Sequence, residues 1–133
     1  MTASGSSQLI LLIEMDDETR PLLQYNLRNQ GYKVITAINE EGALERVKDG
    51  RAYPNLILIN QVSLSIEAYL AMGQRIRDQA GLSRQTPIVV VADRYGTDLE
   101  GQDIEVRDRE FISYPEDAQQ LFDLLHRLCR EAS

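Results

Sequence analysis

Apolar residues in this chain gather in short unbroken runs, separated by longer stretches with helical spacing. Leu9 to Ile13, LILLI, is such a run, of strand length. The segment after it opens with DDETRP, carries Leu23 and Leu27 on one face and stops at Gly31. Asp16 or Asp17 is placed to accept hydrogen bonds from the free N–H groups of the first turn, and acids suit that positive end. Pro21 is tolerated because those N–H groups have no helical partner to lose. YKVITA reads as a second strand, and NEEGALERVKDG as a helix capped by Asn39 and closed by Gly50. Leu56 to Ile59, led in by Asn55, form a third strand ending on the uncharged amide of Asn60. SIEAYLAMGQRIRDQAG predicts a helix with Ile66, Tyr69, Leu70, Gly73 and Ile76 on its inner face. TPIVVVA is a fourth strand and REFISYP a fifth. A last helix from Glu116 to Arg130 carries Leu121, Leu124, Leu125 and Leu128 as its apolar stripe.

Strands alternating with helices predict an α/β fold, a parallel sheet covered on both faces. Five strands suggest a flavodoxin-like, doubly wound (βα)5 sandwich of three layers with strand order 2-1-3-4-5. The ligand crevice then lies at the carboxyl ends of the first and third strands, beside Glu14, Met15 and Asn60. One segment fits this plan poorly. Asp93 to Arg109 should hold the fourth helix, yet its apolar residues are only Tyr95, Leu99, Ile104 and Val106, among two glycines and six acids. A short or frayed helix is expected there.

Length and charge narrow the picture. The chain has 133 residues, an ordinary single domain, and 43% apolar residues, enough for a globular core. A net charge of −7 argues against a nucleic-acid surface. Cys129, the single cysteine, fits a reducing cytoplasm and reads as a small apolar residue of the last helix. No run approaches the ~18 apolar residues of a membrane span. MTASGSSQ lacks the features of a secretory signal and reads as a flexible tail over residues 1–8, followed by one domain over 9–131 without an output domain.

The phrases LLIEMDDETR, GYKVITAINEEGALERV, YPNLILIN, TPIVVVA and FISYP resemble, in order and spacing, the receiver domain of two-component response regulators. The resemblance spans about Leu9 to Cys129. In that family a carboxylate ending the third strand takes a phosphoryl group; Asn60 stands at that place. Two acids after the first strand bind the required Mg²⁺; those positions, counted back from Arg20, are Glu14 and Met15. A hydroxyl residue ends the fourth strand, here Ala92, and a lysine before proline ends the fifth, here Tyr114. Phe111 matches the aromatic whose rotation follows that hydroxyl residue. Leu64 and Ala68 stand where a proline and a glycine are usual.

Each change removes one part of the chemistry. An amide carries no charge and is a poor nucleophile, so Asn60 cannot form a stable acyl phosphate. Mg²⁺ is hard and prefers oxygen, and a Met15 thioether is soft. Ala92 offers no hydroxyl and Tyr114 no fixed positive charge. Removing two acids also relieves like-charge repulsion, so the emptied pocket can be stable without a metal. No cofactor and no Mg²⁺ are expected. With Ala92 in place, Phe111 reads as plain packing.

The resemblance therefore implies a noncatalytic pseudo-receiver: a bacterial, cytoplasmic protein–protein interaction module of two-component or phosphorelay signalling. Its partner would be a signalling protein, such as a histidine kinase or another regulator. The family's partner-binding face uses the fourth helix, fifth strand and last helix. Here that includes Tyr95, Leu99 and the outer side of Glu116 to Arg130, with a homodimer through the last helix as one form. Two alternatives stay open. The emptied pocket among Glu14, Met15, Asn60, Ala92 and Tyr114 could accept a small organic ligand. Asp16 or Asp17, otherwise helix-capping residues, could serve as a substitute phosphoacceptor. His126 reads as a surface or interface residue, and the acids from Asp98 to Asp108 as a solvated face.

Overall fold

The computed structural model describes residues 8–132. Its elements run β1 Leu9–Ile13, α1 Thr19–Asn29, β2 Lys33–Ala37, α2 Glu40–Val47, β3 Leu56–Asn60 and α3 Ile66–Gln79. They continue with β4 Ile88–Val91, β5 Gln102–Arg107, β6 Glu110–Tyr114 and α4 Ala118–Ala132. The six-stranded sheet has the order β2-β1-β3-β4-β6-β5. All pairings are parallel except β5 with β6. The five parallel strands follow the expected order, and the fold is the predicted doubly wound α/β type.

Alternation along each strand builds two cores. Leu11, Ile13, Ile57, Ile59, Ile88 and Val90 face α2 and α3. Ile10, Leu12, Leu56, Leu58, Val89 and Val91 face α1 and α4, against Leu27, Leu121, Leu125 and Leu128. Strands buried on both faces account for the unbroken apolar runs. Helix α3 approaches the sheet most closely at Gly73, where a Cβ would lie 2.6 Å from Ile88 Cγ2. Only glycine lets that helix sit so near.

Caps set the helix ends. Asn39 Oδ1 accepts from Gly42 N and Ser65 Oγ from Ala68 N. Asp117 Oδ1 accepts from Gln120 N, so α4 begins at Ala118, two residues beyond the expected start. The expected tail falls on residues 1–7, outside the described residues, and on Gln8. Gln8 is tied down, its Nε2 donating to Cys129 O at 2.9 Å and its C=O accepting from Lys33 N.

The segment from Asp93 to Arg109 departs from expectation. No fourth helix forms between β4 and β6; the chain makes a turn-rich loop and then β5, an antiparallel edge strand. Tyr95 and Leu99 supply too little apolar surface for a helix, so they pack against the core instead, Tyr95 edge-on to Tyr114. The Tyr95 hydroxyl donates to Pro115 O. Gly101 takes φ +89, a left-handed bend open to glycine, and its N–H donates to Tyr114 O. Asp108 and Arg109 turn the hairpin, with Arg109 at φ 63. The expected partner-binding face thus has a strand where a helix was predicted.

Two residues of α4 change character. His126, expected at a surface or interface, is half-buried with both ring nitrogens engaged, Nδ1 with the Tyr32 hydroxyl and Nε2 with Gln30 Oε1, each at 2.9 Å. It stacks on Tyr32, with ring centroids 5.3 Å apart. It is a clasp between α4 and the α1–β2 turn. Cys129 is buried beside it, and burial pushes its thiol up to about 11. The folded chain therefore keeps a proton that the unfolded chain releases near 9. Stability should fall as pH rises from about 9 toward 11, by at most about 1.4 kcal/mol per pH unit. Urea unfolding at pH 8 and pH 10 checks this, and Cys129→Ala should flatten the slope. An unchanged slope in that variant would assign it to another group, such as Tyr32, whose hydroxyl burial also pushes up.

Candidate functional site

The carboxyl ends of β1 and β3 are adjacent in register, Ile13 opposite Ile59, which brings Glu14 beside Asn60. Glu14 is fully buried. Asn60 Nδ2 donates to its Oε1 at 2.6 Å, and the Asp16 N–H donates to its Oε2 at 3.1 Å. The Arg20 guanidinium donates to the Glu14 carbonyl at 3.0 Å. A buried carboxylate needs such donors, and the Asn60 amide supplies one without adding charge. An ionised aspartate at 60 would offer only acceptors to the same oxygen.

Neighbouring side chains close the arrangement. Asp16 Oδ2 accepts from Thr19 N at 2.7 Å, and hydrogen bonding to Thr19 holds its carboxyl below the usual range. Asp17 pairs with Arg20 at 2.7 Å. Both acids thus serve the start of α1. Met15 turns outward, its sulfur 3.8 Å from the Ser63 hydroxyl. Met15 and Asn60 share a cavity of about 30 Å³ with Ile13, Ile38, Asn39, Leu64, Tyr69 and Met72. That is room for a water or two, far below the roughly 300–1,000 Å³ of an organic-ligand pocket.

The remaining predicted residues lie apart from this cavity. Ala92 is buried one residue beyond Val91, the β4 partner of Asn60, and its N–H donates to Ser113 O. Tyr114 is buried on β6, edge-on to Tyr95 at 5.3 Å and 73°. Phe111 packs in the core on the α1 and α4 side with Val89 and Val91, while Ala92 belongs to the opposite core. Glu14, Met15 and Asn60 come together, with Asp16 bonded to Glu14 and Leu64 on the cavity wall.

Mg²⁺, which the receiver resemblance implies, does not fit these residues. Both Glu14 oxygens already accept protein hydrogen bonds, Met15 presents sulfur, and the Asn60 donor points at Glu14. Among the described residues, no three His, Cys, Asp or Glu side chains converge as a metal site. No described helix is long and apolar enough to cross a membrane.

Sequence reading missed the residues that shape the next loop. Gln61 donates through Nε2 to Leu64 O and accepts at Oε1 from Asp93 N. The Tyr69 hydroxyl accepts from the N–H groups of Ser63 and Leu64 at 3.3 and 3.5 Å. The helical spacing places Tyr69 on an inner face and gives no sign of this role. Apolar residues at turn positions, Ile38, Val62 and Leu64, were the available signal.

No protein-family model matches the chain, and neither does any curated protein sequence. Solved structures do match. The chemotaxis protein CheY4 of Vibrio cholerae superposes with TM-score 0.67 at 18% identity, over 92% of this chain and 98% of that one. The response regulator TrrA of Thermotoga maritima, solved with Mg²⁺ and BeF, gives 0.64 at 22%, over 91% and 98%. A response regulator receiver domain of Clostridium thermocellum gives 0.66 at 13%, over 93% and 95%. Through its parallel sheet, helix placement and these neighbours, the chain has the fold of response-regulator receiver domains.

Proposed function

We propose that this protein is a receiver that takes no phosphoryl group and acts as a noncatalytic protein–protein interaction module in bacterial two-component signalling. The observation that carries this reading is the 2.6 Å hydrogen bond from Asn60 to buried Glu14. It puts an amide donor where an acyl phosphate would need a carboxylate, and it occupies the acid that a metal would use. Met15 supplies no hard ligand, Ala92 no hydroxyl and Tyr114 no fixed cation. What remains is a rigid α/β body in the cytoplasm whose message to a kinase or another regulator passes through contact.

The test uses the full chain with acetyl phosphate and Mg²⁺, followed by intact mass. The expected spectrum shows no gain of a phosphoryl group. A gain would overturn the proposal, and localising it by peptide mapping would show whether Asp16 or Asp17 takes it. Asn60→Asp with Met15→Asp should restore little uptake, because Ala92 and Tyr114 are unchanged.

A further inference from the structure

A second recess lies at the opposite end of the sheet, where the chain enters β3 and β4. It holds about 240 Å³, and its walls include Tyr53, Pro54 and Asn55 before β3 and Leu82, Gln85 and Thr86 before β4. Thr86 is only 7% exposed, yet its hydroxyl has no hydrogen-bond partner among the described residues. Buried polar groups are nearly always paired, so one left open beside a recess is served from outside the protein. Asn55 is clamped in place: its Oδ1 accepts from Leu9 N at 2.8 Å, and its N–H donates to Leu9 O at 2.7 Å. Its Nδ2, a donor only, finds no acceptor among the described residues. The walls hold their shape unaided. Ser83 Oγ accepts from Gln85 N and Ser83 O from Thr86 N, while Arg77 donates to Thr86 O and Arg109 to Gln85 O. Gly50, at φ +74, leaves room for the Tyr53 hydroxyl, which a Cβ there would meet at 2.9 Å. Such a site does not have to be ordered on contact.

The chemistry of the lining selects the ligand. No charged side chain lines the recess: Arg51 donates to Glu45 O, Arg109 Nε to Gln85 O, and Arg84 is not part of the wall. An anion would find no cation to pair with there. A flat base is served no better. Amide side chains read a base edge by giving and accepting together, and the Asn55 oxygen is already held by Leu9. Gln85 keeps both groups but lies exposed at the rim. What remains is the Tyr53 ring, 66% exposed, with apolar Pro54 and Leu82 and a set of uncharged hydroxyls and amides. A sugar ring matches this set, since its C–H face packs on an aromatic ring and each hydroxyl both gives and accepts. The volume falls just under the roughly 300–1,000 Å³ of pockets for drug-sized molecules, which leaves room for one ring. We infer that this recess binds a neutral, hydroxyl-rich small molecule, a monosaccharide or cyclic polyol, bonded to Asn55 and Thr86 and packed on Tyr53. The site is separate from the strand-end crevice, so it stands whether or not the chain takes a phosphoryl group.

Nuclear magnetic resonance of the isotopically labelled full chain tests this. It is titrated with D-glucose, D-ribose and myo-inositol, and separately with adenine, sodium acetate and sodium phosphate. At least one of the first three should shift the Asn55 side-chain amide and the Leu82 and Gln85 backbone signals to saturation, with a Kd below about 1 mM. Thr86→Val and Tyr53→Ala should each weaken that binding about tenfold, the change that follows loss of one hydrogen bond or one packed face. Thr86→Val should also leave the melting temperature unchanged or raised, because the hydroxyl it removes has no partner in the protein. A lowered melting temperature would give that hydroxyl a structural role and overturn the inference. Tyr53 is exposed, so Tyr53→Ala carries the binding test should Thr86→Val not fold. No saturable shift with any of the three neutral probes, an equal shift from adenine, acetate or phosphate, or undiminished binding to both variants would each overturn it. So would saturable shifts confined to Met15 and Asn60, since the strand-end crevice would then hold the ligand.

Discussion

Asn60→Asp is expected to destabilise the protein by about 3 kcal/mol at pH 7.5 and by much less at pH 5. The substitution removes the donor that meets Glu14 Oε1 at 2.6 Å and sets a second carboxylate against a fully buried one. A hydrogen bond to a charged group contributes about 1.5–3 kcal/mol. Two carboxylates sharing one site cannot both ionise, so one pKa rises by two units or more, at about 1.4 kcal/mol each. These costs overlap, because a shared proton restores a hydrogen bond between the two oxygens. The sign follows. The folded pair has a pKa above the ordinary value near 4, so the variant matches the parent below that value and loses stability as pH rises through the folded pKa. Urea unfolding at the two pH values reads the difference. Adding Glu14→Gln exchanges amide and carboxylate across the same contact and should recover most of the loss at pH 7.5. An Asn60→Asp variant as stable as the parent at both pH values would mean that the two carboxylates separate into solvent, and Asn60 would no longer be the element that keeps this site quiet.

Removing the side chain of Glu110 should cost about 3–5 kcal/mol, the range for breaking one side of a buried ion pair. Arg77 and Glu110 are both buried and meet at 3.4 Å, tying α3 to β6. Glu110 Oε1 also accepts from Gln74 Nε2 at 2.8 Å and from Arg107 at 3.2 Å. Arg77 gains only the Thr86 carbonyl besides, and its Nε has no hydrogen-bond partner among the described residues. Glu110→Ala therefore leaves a guanidinium buried without its counter-charge. Glu110→Gln keeps the acceptor oxygen and should lose less. Replacing both partners, Arg77→Met with Glu110→Leu, should cost far less than Glu110→Ala, because it removes the unpaired charge along with the pair. Chemical denaturation of the three variants forms the test. A double variant as unstable as Glu110→Ala would show that packing, rather than charge, governs this junction. The result also bears on the hairpin, since Arg107 joins β5 to Glu110 and to Glu67 of α3.

Much of the architecture follows from local pattern. LILLI, LILI and IVVV could only be strands buried on both faces, and Gly31, Asn39 and Ser65 act near helix ends through their own backbone or side chain. The third helix was legible down to Gly73 on its inner face, although its contact with Ile88 was not. The hairpin was unreadable for a particular reason. EVRDREF has no Asn-Gly or Asp-Gly turn, its alternation is weak, and the strand it adds pairs with a neighbour reached only after the turn. The repeating strand-helix rhythm therefore suggested a helix that the composition barely supported.

The candidate site divides in the same way. By itself the sequence determined which groups stand at the strand ends: an amide at 60, a thioether at 15, a methyl at 92 and a phenol at 114. The absence of a nucleophile is a property of residue identity and needs no coordinates. Tertiary structure alone decided what those residues do. It set Asn60 against Glu14, buried Ala92 and Tyr114 in the core, turned His126 inward and left Met15, Ile38, Val62 and Leu64 exposed on the loops after β1, β2 and β3. The reason is physical: identity limits the chemistry a side chain can perform, while burial, hydrogen-bond partners and exposure depend on strands and loops brought together from distant parts of the chain.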